Sequence, residues 1–352
     1  RAKILLIFSA FSLISLVLVS GIIGGFLRIA NNEVTDESED ALKQQIQTNL
    51  RKSASENAFT IGEKLENAIA NVKYLAYFAE NLFENPDIYG HYPSFNDTDA
   101  NINDTTLNPQ YYTDQGYGSN YISFAYSMYH LAPSVYDENL GYASANETIQ
   151  EYINISANLD HVFKYTKEAN PEFGWIYMGF DVGLFRSYPW SIFKSDYDPR
   201  TRVWYYLTPE EQQKGVKITE PYKDANGLGL MITVAKEVHV DGEKIGTIAI
   251  DLTISQIQET ILDINFLKSG YAFLIDENGL AIAHKDLNLE DLEGDETLST
   301  NIQDLEPISS DVYQSLINDE TGFLTYNTTI NDTLKTMYMA FSKIENTEYI
   351  VA

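Results

Sequence analysis

The sequence predicts an α+β protein: an N-terminal transmembrane helix and a long stalk helix, followed by two tandem modules, each an antiparallel sheet flanked by helices. Three observations carry this reading. Residues 4–27 contain no charged side chain, residues 40–84 repeat apolar residues at helical spacing, and from Gly174 onward strand-like runs alternate with turn dipeptides.

The first element, "ILLIFSAFSLISLVLVSGIIGGFL", is twenty-four residues without a charge, more than the ~20 needed to span a bilayer. A cleaved signal peptide has an apolar core of only ~7–15 residues, so the run reads as a retained anchor. Arg1 and Lys3 precede it, while Glu33, Asp36, Glu37, Glu39 and Asp40 follow Arg28. The basic side stays in the cytoplasm. Residues 1–28 are therefore expected to anchor the chain in the cell membrane, with the bulk of the chain extracytoplasmic. Arg1 is not an initiator methionine and "EYIVA" stops inside a strand-like run, so the sequence is expected to continue beyond both ends.

The second element, residues 29–85, is a stalk. Leu42, Ile46, Leu50, Ala54, Ile61, Leu65, Ile69, Val72, Leu75 and Leu82 fall on one helix face. No proline occurs before Pro86, and Gly62 is the only glycine in residues 40–84. Such a stripe packs on its own domain. A stalk longer than its domain also leaves surface for a second copy, which predicts a homodimer through this helix.

Residues 85–170, rich in Asn, Asp, Thr and Tyr, read as loops with short helices. Beyond them, "GWIYMGFDVGL" from Gly174 and "GYAFLIDENGL" from Gly270 share a glycine, an aromatic-rich run, an aspartate and a Gly-Leu, ninety-six residues apart. In the first copy "VKITEPY", "LMITVAKEVHV" and "KIGTIAIDL" are strand-like, separated by Asn226-Gly227 and Asp241-Gly242, the strongest short hairpin signals. In the second copy "TGFLTYNTT", "TLKTMYMAFSKI" and "TEYIVA" form a similar meander. Between them "TISQIQETILDI" reads as a helix, with Thr253 and Gln256 at capping-box spacing. The expected boundaries are 86–262 for a membrane-distal module and 263–352 for a membrane-proximal one.

Composition narrows the functions. Hydrophobic content of 44% supports packed cores, and the formal net charge of -28 repels phosphate backbones, so nucleic acid is not expected as a partner. The absence of cysteine removes disulfides, cysteine zinc sites and thiol catalysis. The five histidines show no metal-ligand spacing, and neither G-x-S-x-G nor a P-loop occurs. No catalytic residue, metal or cofactor is expected, and the chain is not expected to be an enzyme. Sequons at Asn96, Asn103, Asn146, Asn154, Asn327 and Asn331 agree with an outside location.

Against this acidic background, "DYDPRTRVWYY" (196–206) concentrates two arginines beside four aromatic rings. Asp198-Pro199 suggests a turn, and in an extended segment Arg202 and Trp204 would share a face while Tyr205 points opposite. A guanidinium fork and an indole N–H suit a small carboxylate. Downstream, Tyr222 and Asp224 precede a turn, and Asp251 interrupts the apolar run "GTIAIDLT", where a buried carboxylate is costly unless paired. One cavity holding Arg202 and Asp251 would have a positive and a negative end, the shape of a zwitterionic α-amino acid. Each residue also has a plain reading: Trp204 and Tyr205 as core aromatics, Arg202 and Asp251 as partners of each other, Asp251 as a helix cap.

The chain resembles the double Cache family, extracytoplasmic sensor domains of chemoreceptors and sensor histidine kinases with PAS-like modules. The resemblance rests on "DPRTRVWYY", "ITEPYKDANG", "GTIAIDLT" and "GYAFLIDENGLAIAHKD" and covers about residues 30–352. It implies that Tyr197, Arg202 and Trp204 hold a ligand carboxylate and that Tyr222 and Asp251 hold its ammonium, with Tyr205 and Asp224 supporting. Val203 stands where the family often has proline, which removes no ligating group. The resemblance implies a non-enzymatic sensor for a small zwitterion, most simply an L-α-amino acid, acting in chemotaxis. A histidine kinase output, an amine or carboxylate ligand, an anchored enzyme and a structural surface protein are the alternatives.

Overall fold

The computed structural model describes residues 2–90, 94, 110–111, 121–125, 127–136, 146–226, 228–254, 270–287, 300–330, 333–345 and 347–352, with side chains from residue 40. With no proline to break it, helix α1 runs Ala2–Glu84. It stops at Asn85, where Pro86 opens a single 3-10 turn, Pro86–Ile88. The upper part of its apolar stripe is buried: Ala54, Ile61, Leu65, Ile69, Val72, Leu75 and Leu82. Leu42, by contrast, is 57% exposed, and Ile46 and Leu50 are only half-buried. The fold therefore covers the stripe only from about residue 54 upward. The expected span at 4–27 lies where side chains are outside the description. Among the described residues no helix is long and apolar enough to cross a membrane.

The strands are β1 Gln110–Tyr111, β2 Tyr121–Ser123, β3 Met128–Leu131, β4 Phe173–Phe180, β5 Leu184–Tyr188, β6 Trp190–Ser191, β7 Lys217–Ile218, β8 Tyr222–Lys223, β9 Leu230–Val240, β10 Glu243–Thr253, β11 Leu274–Asp276, β12 Ala281–Ala283, β13 Thr321–Ile330, β14 Thr333–Lys343 and β15 Tyr349–Val351. They form a small sheet β1-β2-β6, a central sheet β3-β5-β4-β10-β9-β7 with β8 alongside β9, and a C-terminal sheet β12-β11-β15-β14-β13. The pairings are antiparallel. The chain is thus α+β with antiparallel sheets behind an N-terminal helix. The helix expected at 253–264 falls almost wholly outside the described residues.

The turns follow from the sequence. Asp241 and Gly242 both take positive φ (52° and 84°), joining β9 to β10 as a two-residue hairpin. The two repeat motifs make the same turn: Gly183 N–H donates to Phe180 O, and Gly279 N–H to Asp276 O, each at 3.0 Å, with both glycines at positive φ. The central run β5-β4-β10-β9 has its counterpart in β12-β11-β15-β14.

Alternation along the central strands separates two faces. Ile176, Met178, Phe180, Ile232, Val234, Ile248, Ile250 and Leu252 join α1 in one core. Helices α2 (Glu147–Ser156) and α3 (Leu159–Ala169) supply Ile149, Ile153, Leu159 and Phe163 to that core. They are tied to β5 by Arg186, fully buried, which donates to Ser156 Oγ (2.9 Å), Ile153 O (2.9 Å) and Asp160 Oδ1 (3.2 Å). The opposite face carries Trp175, Tyr177, Phe185, Met231, Ala235 and Ala249, in a second cluster with Trp204, Tyr205 and Tyr222.

Candidate functional site

The stretch 196–206 is not extended. Asp198 accepts from Arg200 N–H (3.0 Å) and Pro199 opens a 3-10 turn, Pro199–Thr201. A cap and a proline at the first position wind the chain, and Tyr205 N–H then donates to Arg202 O at 3.1 Å. The strand-like separation of Trp204 from Tyr205 does not arise, and both rings are buried. Gly179 of β4 lets this turn seat on the sheet. A Cβ there would lie 2.8 Å from Pro199 Cβ and 2.9 Å from the Trp204 ring.

The two arginines part company. Arg200 is bidentate to Asp198, at 2.9 and 2.7 Å, and holds that carboxyl below its usual range. Arg202 is directed elsewhere, its guanidinium 5.7 Å from the Tyr197 ring and 5.8 Å from the Tyr222 ring. Arg202 lines a cavity of about 20 Å³ on the outer face of the central sheet, room for about one water molecule.

Tyr197, Arg202, Trp204, Tyr222, Asp224 and Asp251 all line this cavity. Tyr205 does not. It stands behind Trp204, with ring centroids 5.6 Å apart, and its hydroxyl donates to Asp181. Its carbonyl accepts from Thr247 Oγ1 (2.6 Å) and Lys244 Nζ (3.0 Å), so it braces the indole from outside. Sequence reasoning missed Trp175, Tyr177, Phe185, Ser187 and Phe193, which also line the cavity. Trp175 and Tyr177 were legible as alternate residues of "GWIYMGF", two apart on one strand face.

Asp251 is 2% exposed and lies within β10. Ile250 pairs with Ile176 and Leu252 with Phe173, so β4 carries one extra residue opposite Asp251. Such a bulge re-aims the side chain it faces. The Asp251 Oδ1 accepts from Tyr177 (2.7 Å) and from its cross-strand partner Thr233 (2.5 Å). Thr233 Oγ1 lies 2.7 Å from the Tyr222 hydroxyl. Burial pushes the Asp251 carboxyl up to about 8 against these hydroxyls, with Asp224 adding and Arg202 opposing. Asp224, half-buried, is raised by desolvation while its Oδ2 accepts from Leu228 N–H at 2.8 Å. Burial likewise pushes the Tyr177 and Tyr222 hydroxyls far up, so they remain donors.

A larger cavity, about 690 Å³, opens between α1, β7 and the segment before β15, past Ile69, Lys73, Glu220 and Tyr349. It has the volume, whereas the small cavity has the convergent polar groups that define a ligand site. Among the described residues no group of His, Asp or Glu could hold a metal ion.

The methyl-accepting chemotaxis protein McpC of Bacillus subtilis is 32% identical over 166 residues, 46% of this chain and 25% of that protein. The methyl-accepting chemotaxis protein PscA of Pseudomonas syringae pv. tomato is 33% identical over 113 residues, 32% of this chain and 18% of that protein. The match thus takes in a quarter or less of these relatives' length. Among solved structures, the ligand-binding domain of the Pseudomonas fluorescens chemoreceptor CtaA, in complex with L-leucine, superposes with a TM-score of 0.50. It is 17% identical and covers 89% of this chain and 95% of that one, a likeness of fold. A family profile described as Cache domain matches residues 38–352, and the chain belongs to that family.

Proposed function

We propose that this chain is the extracytoplasmic ligand-sensing region of a transmembrane chemotaxis receptor, and that its ligand is a free L-α-amino acid bound as a zwitterion. The observation that carries the reading is the joint lining of one small cavity by Arg202 and Asp251. Arg202, Trp204 and Tyr197 take the carboxylate. Asp251, oriented by Tyr177 and Thr233, takes the ammonium together with Tyr222. Asp224 fixes the turn beside them, and Tyr205 braces Trp204. A cavity of about 20 Å³ is smaller than any amino acid, so parting of the aromatic walls belongs to the binding step.

In the same reading residues 1–28 anchor the chain and α1 rises as the stalk. Residues 86–262 form the membrane-distal PAS-like module and 263–352 the proximal one. The shared strand order and the paired glycine turns support that division. The uncovered lower stripe around Leu42 suits a second copy of α1, giving a homodimer on parallel stalks.

The test is a thermal-shift screen of the purified chain against L-amino acids, simple amines and simple carboxylates. Amino acids should raise Tm and analogues lacking either charge should not. Arg202→Ala should cost about 2–5 kcal/mol of binding free energy, as for truncation of one partner of a buried charged contact. Stabilisation by amines alone, or by carboxylates alone, would sink the zwitterion reading.

A further inference from the structure

We propose that Ser187 is the side-chain selector of this site, favouring amino acids whose side chains offer a hydrogen-bonding group. The inference rests on the zwitterion reading above. Ser187 lies on β5, opposite Met128 on one side and Tyr177 on the other. It has no measurable exposure and lines the ligand cavity. Among the described residues its Oγ has no hydrogen-bond partner.

Native interiors rarely leave a buried hydroxyl unmatched. Packing alone does not account for it, because an alanine would serve that strand position without the desolvation cost. The hydroxyl faces a volume in which a bound molecule could supply the partner.

Strand geometry says which part of the ligand arrives there. β5 and β10 flank β4, so Ser187 and Asp251 stand on one face two strands apart, roughly 10 Å laterally at ~4.8 Å per strand. With the α-carboxylate at Arg202 and the ammonium at Asp251, the remaining wall toward β5 is Phe185, Phe193, Trp175 and Ser187. The ligand's side chain therefore lies among aromatic rings that end at a single hydroxyl. A site built this way discriminates against an isostere that lacks the polar group, since the hydroxyl then stays unpaired.

Isosteric pairs isolate the effect. Calorimetric titration of the full chain with L-threonine and L-valine, and with L-asparagine and L-leucine, should give about tenfold tighter binding of the polar member in each pair. In Ser187→Ala both ratios should fall to within about twofold, with valine bound at least as tightly as before because no hydroxyl is left unpaired beside it; the circular dichroism of the variant reports its fold. Equal binding of the pair members by the unaltered chain would overturn the selector role while leaving the zwitterion reading standing. So would a polar preference that survives Ser187→Ala. Absence of binding by every amino acid would overturn both.

Discussion

The central and C-terminal sheets share a strand order, yet their outer faces are filled in opposite ways. On the central sheet that face carries Tyr177, Ser187, Thr233 and Asp251 around a cavity. On the C-terminal sheet the cluster is Phe273, Ile275, Ile302, Leu316, Met339, Phe341 and Ile350. Ninety-six residues separate Tyr177 from Phe273, so at that repeat position the two faces differ by one hydroxyl, the one that holds Asp251. The Phe341 ring lies where a Cβ on Gly322 would come within 2.2 Å, so aromatic packing reaches the backbone of the neighbouring strand. One architecture thus supports either a dry core or a polar cavity. Which it becomes is decided by a few positions on alternate residues. The apolar face contributes stability, and the polar face gives some up by burying groups that need partners.

Three measurements put that contrast at risk. Phe341→Ala should destabilise the chain by about 3–5 kcal/mol in denaturant unfolding, the usual range for an emptied aromatic core site, with amino-acid affinity unchanged. A loss below about 1 kcal/mol would mean that the C-terminal face is not a closed core. Phe273→Tyr adds a hydroxyl at this repeat position. Left unmatched in the apolar cluster it should cost about 1–3 kcal/mol, and a neutral result would show that the neighbouring His284–Glu306 pair takes it up.

The third measurement is the pH dependence of the polar face, read as a slope. The Asp251 carboxyl is pushed up to about 8 in the folded chain from its ordinary value of 3.8, so the folded state binds the extra proton between these values. This contribution to stability is fully present below about pH 4 and is lost as pH rises toward 8, at no more than about 1.4 kcal/mol per pH unit. Affinity for an ammonium should run the other way, rising with pH as the carboxylate becomes available. Asp251→Asn should flatten the stability slope and weaken binding. An unchanged slope would show that Asp251 is ionised throughout.

Much of this was legible beforehand because glycine and hairpin signals are local. Gly183, Gly279 and the Asp241-Gly242 turn depend on backbone conformations that few other residues adopt. The partner of Asp251 was not legible. Continuing the hairpin register from Val240 and Glu243 would set Asp251 opposite Ile232, an apolar residue of the other face. A bulge between Lys244 and Gly246 shifts the register by one, so that Asp251 meets Thr233. At Gly246 β10 lies tight against β4: a Cβ there would sit 2.2 Å from Gly179 O. That constraint is tertiary and leaves only a glycine as its trace. The same holds for Arg186, which stands in "LFRSY" like a surface residue and becomes a buried tie only once α2 and α3 lie over β5. The 3-10 turn at Pro199 was half legible. The proline announced it, but its extent depended on the space Gly179 leaves.

Helix α1 has a mechanical consequence. At 1.5 Å per residue its 83 residues make a rod roughly 125 Å long, and its upper portion shares one core with both the central and the C-terminal sheets. From residue 26 to residue 84 the rod has no proline and one glycine, Gly62, which packs against Ile344, so it has few of the usual places to bend. Axial or twisting displacement imposed on its upper half is therefore not absorbed along the way. It is delivered at the far end, diminished only by the elasticity of the helix itself.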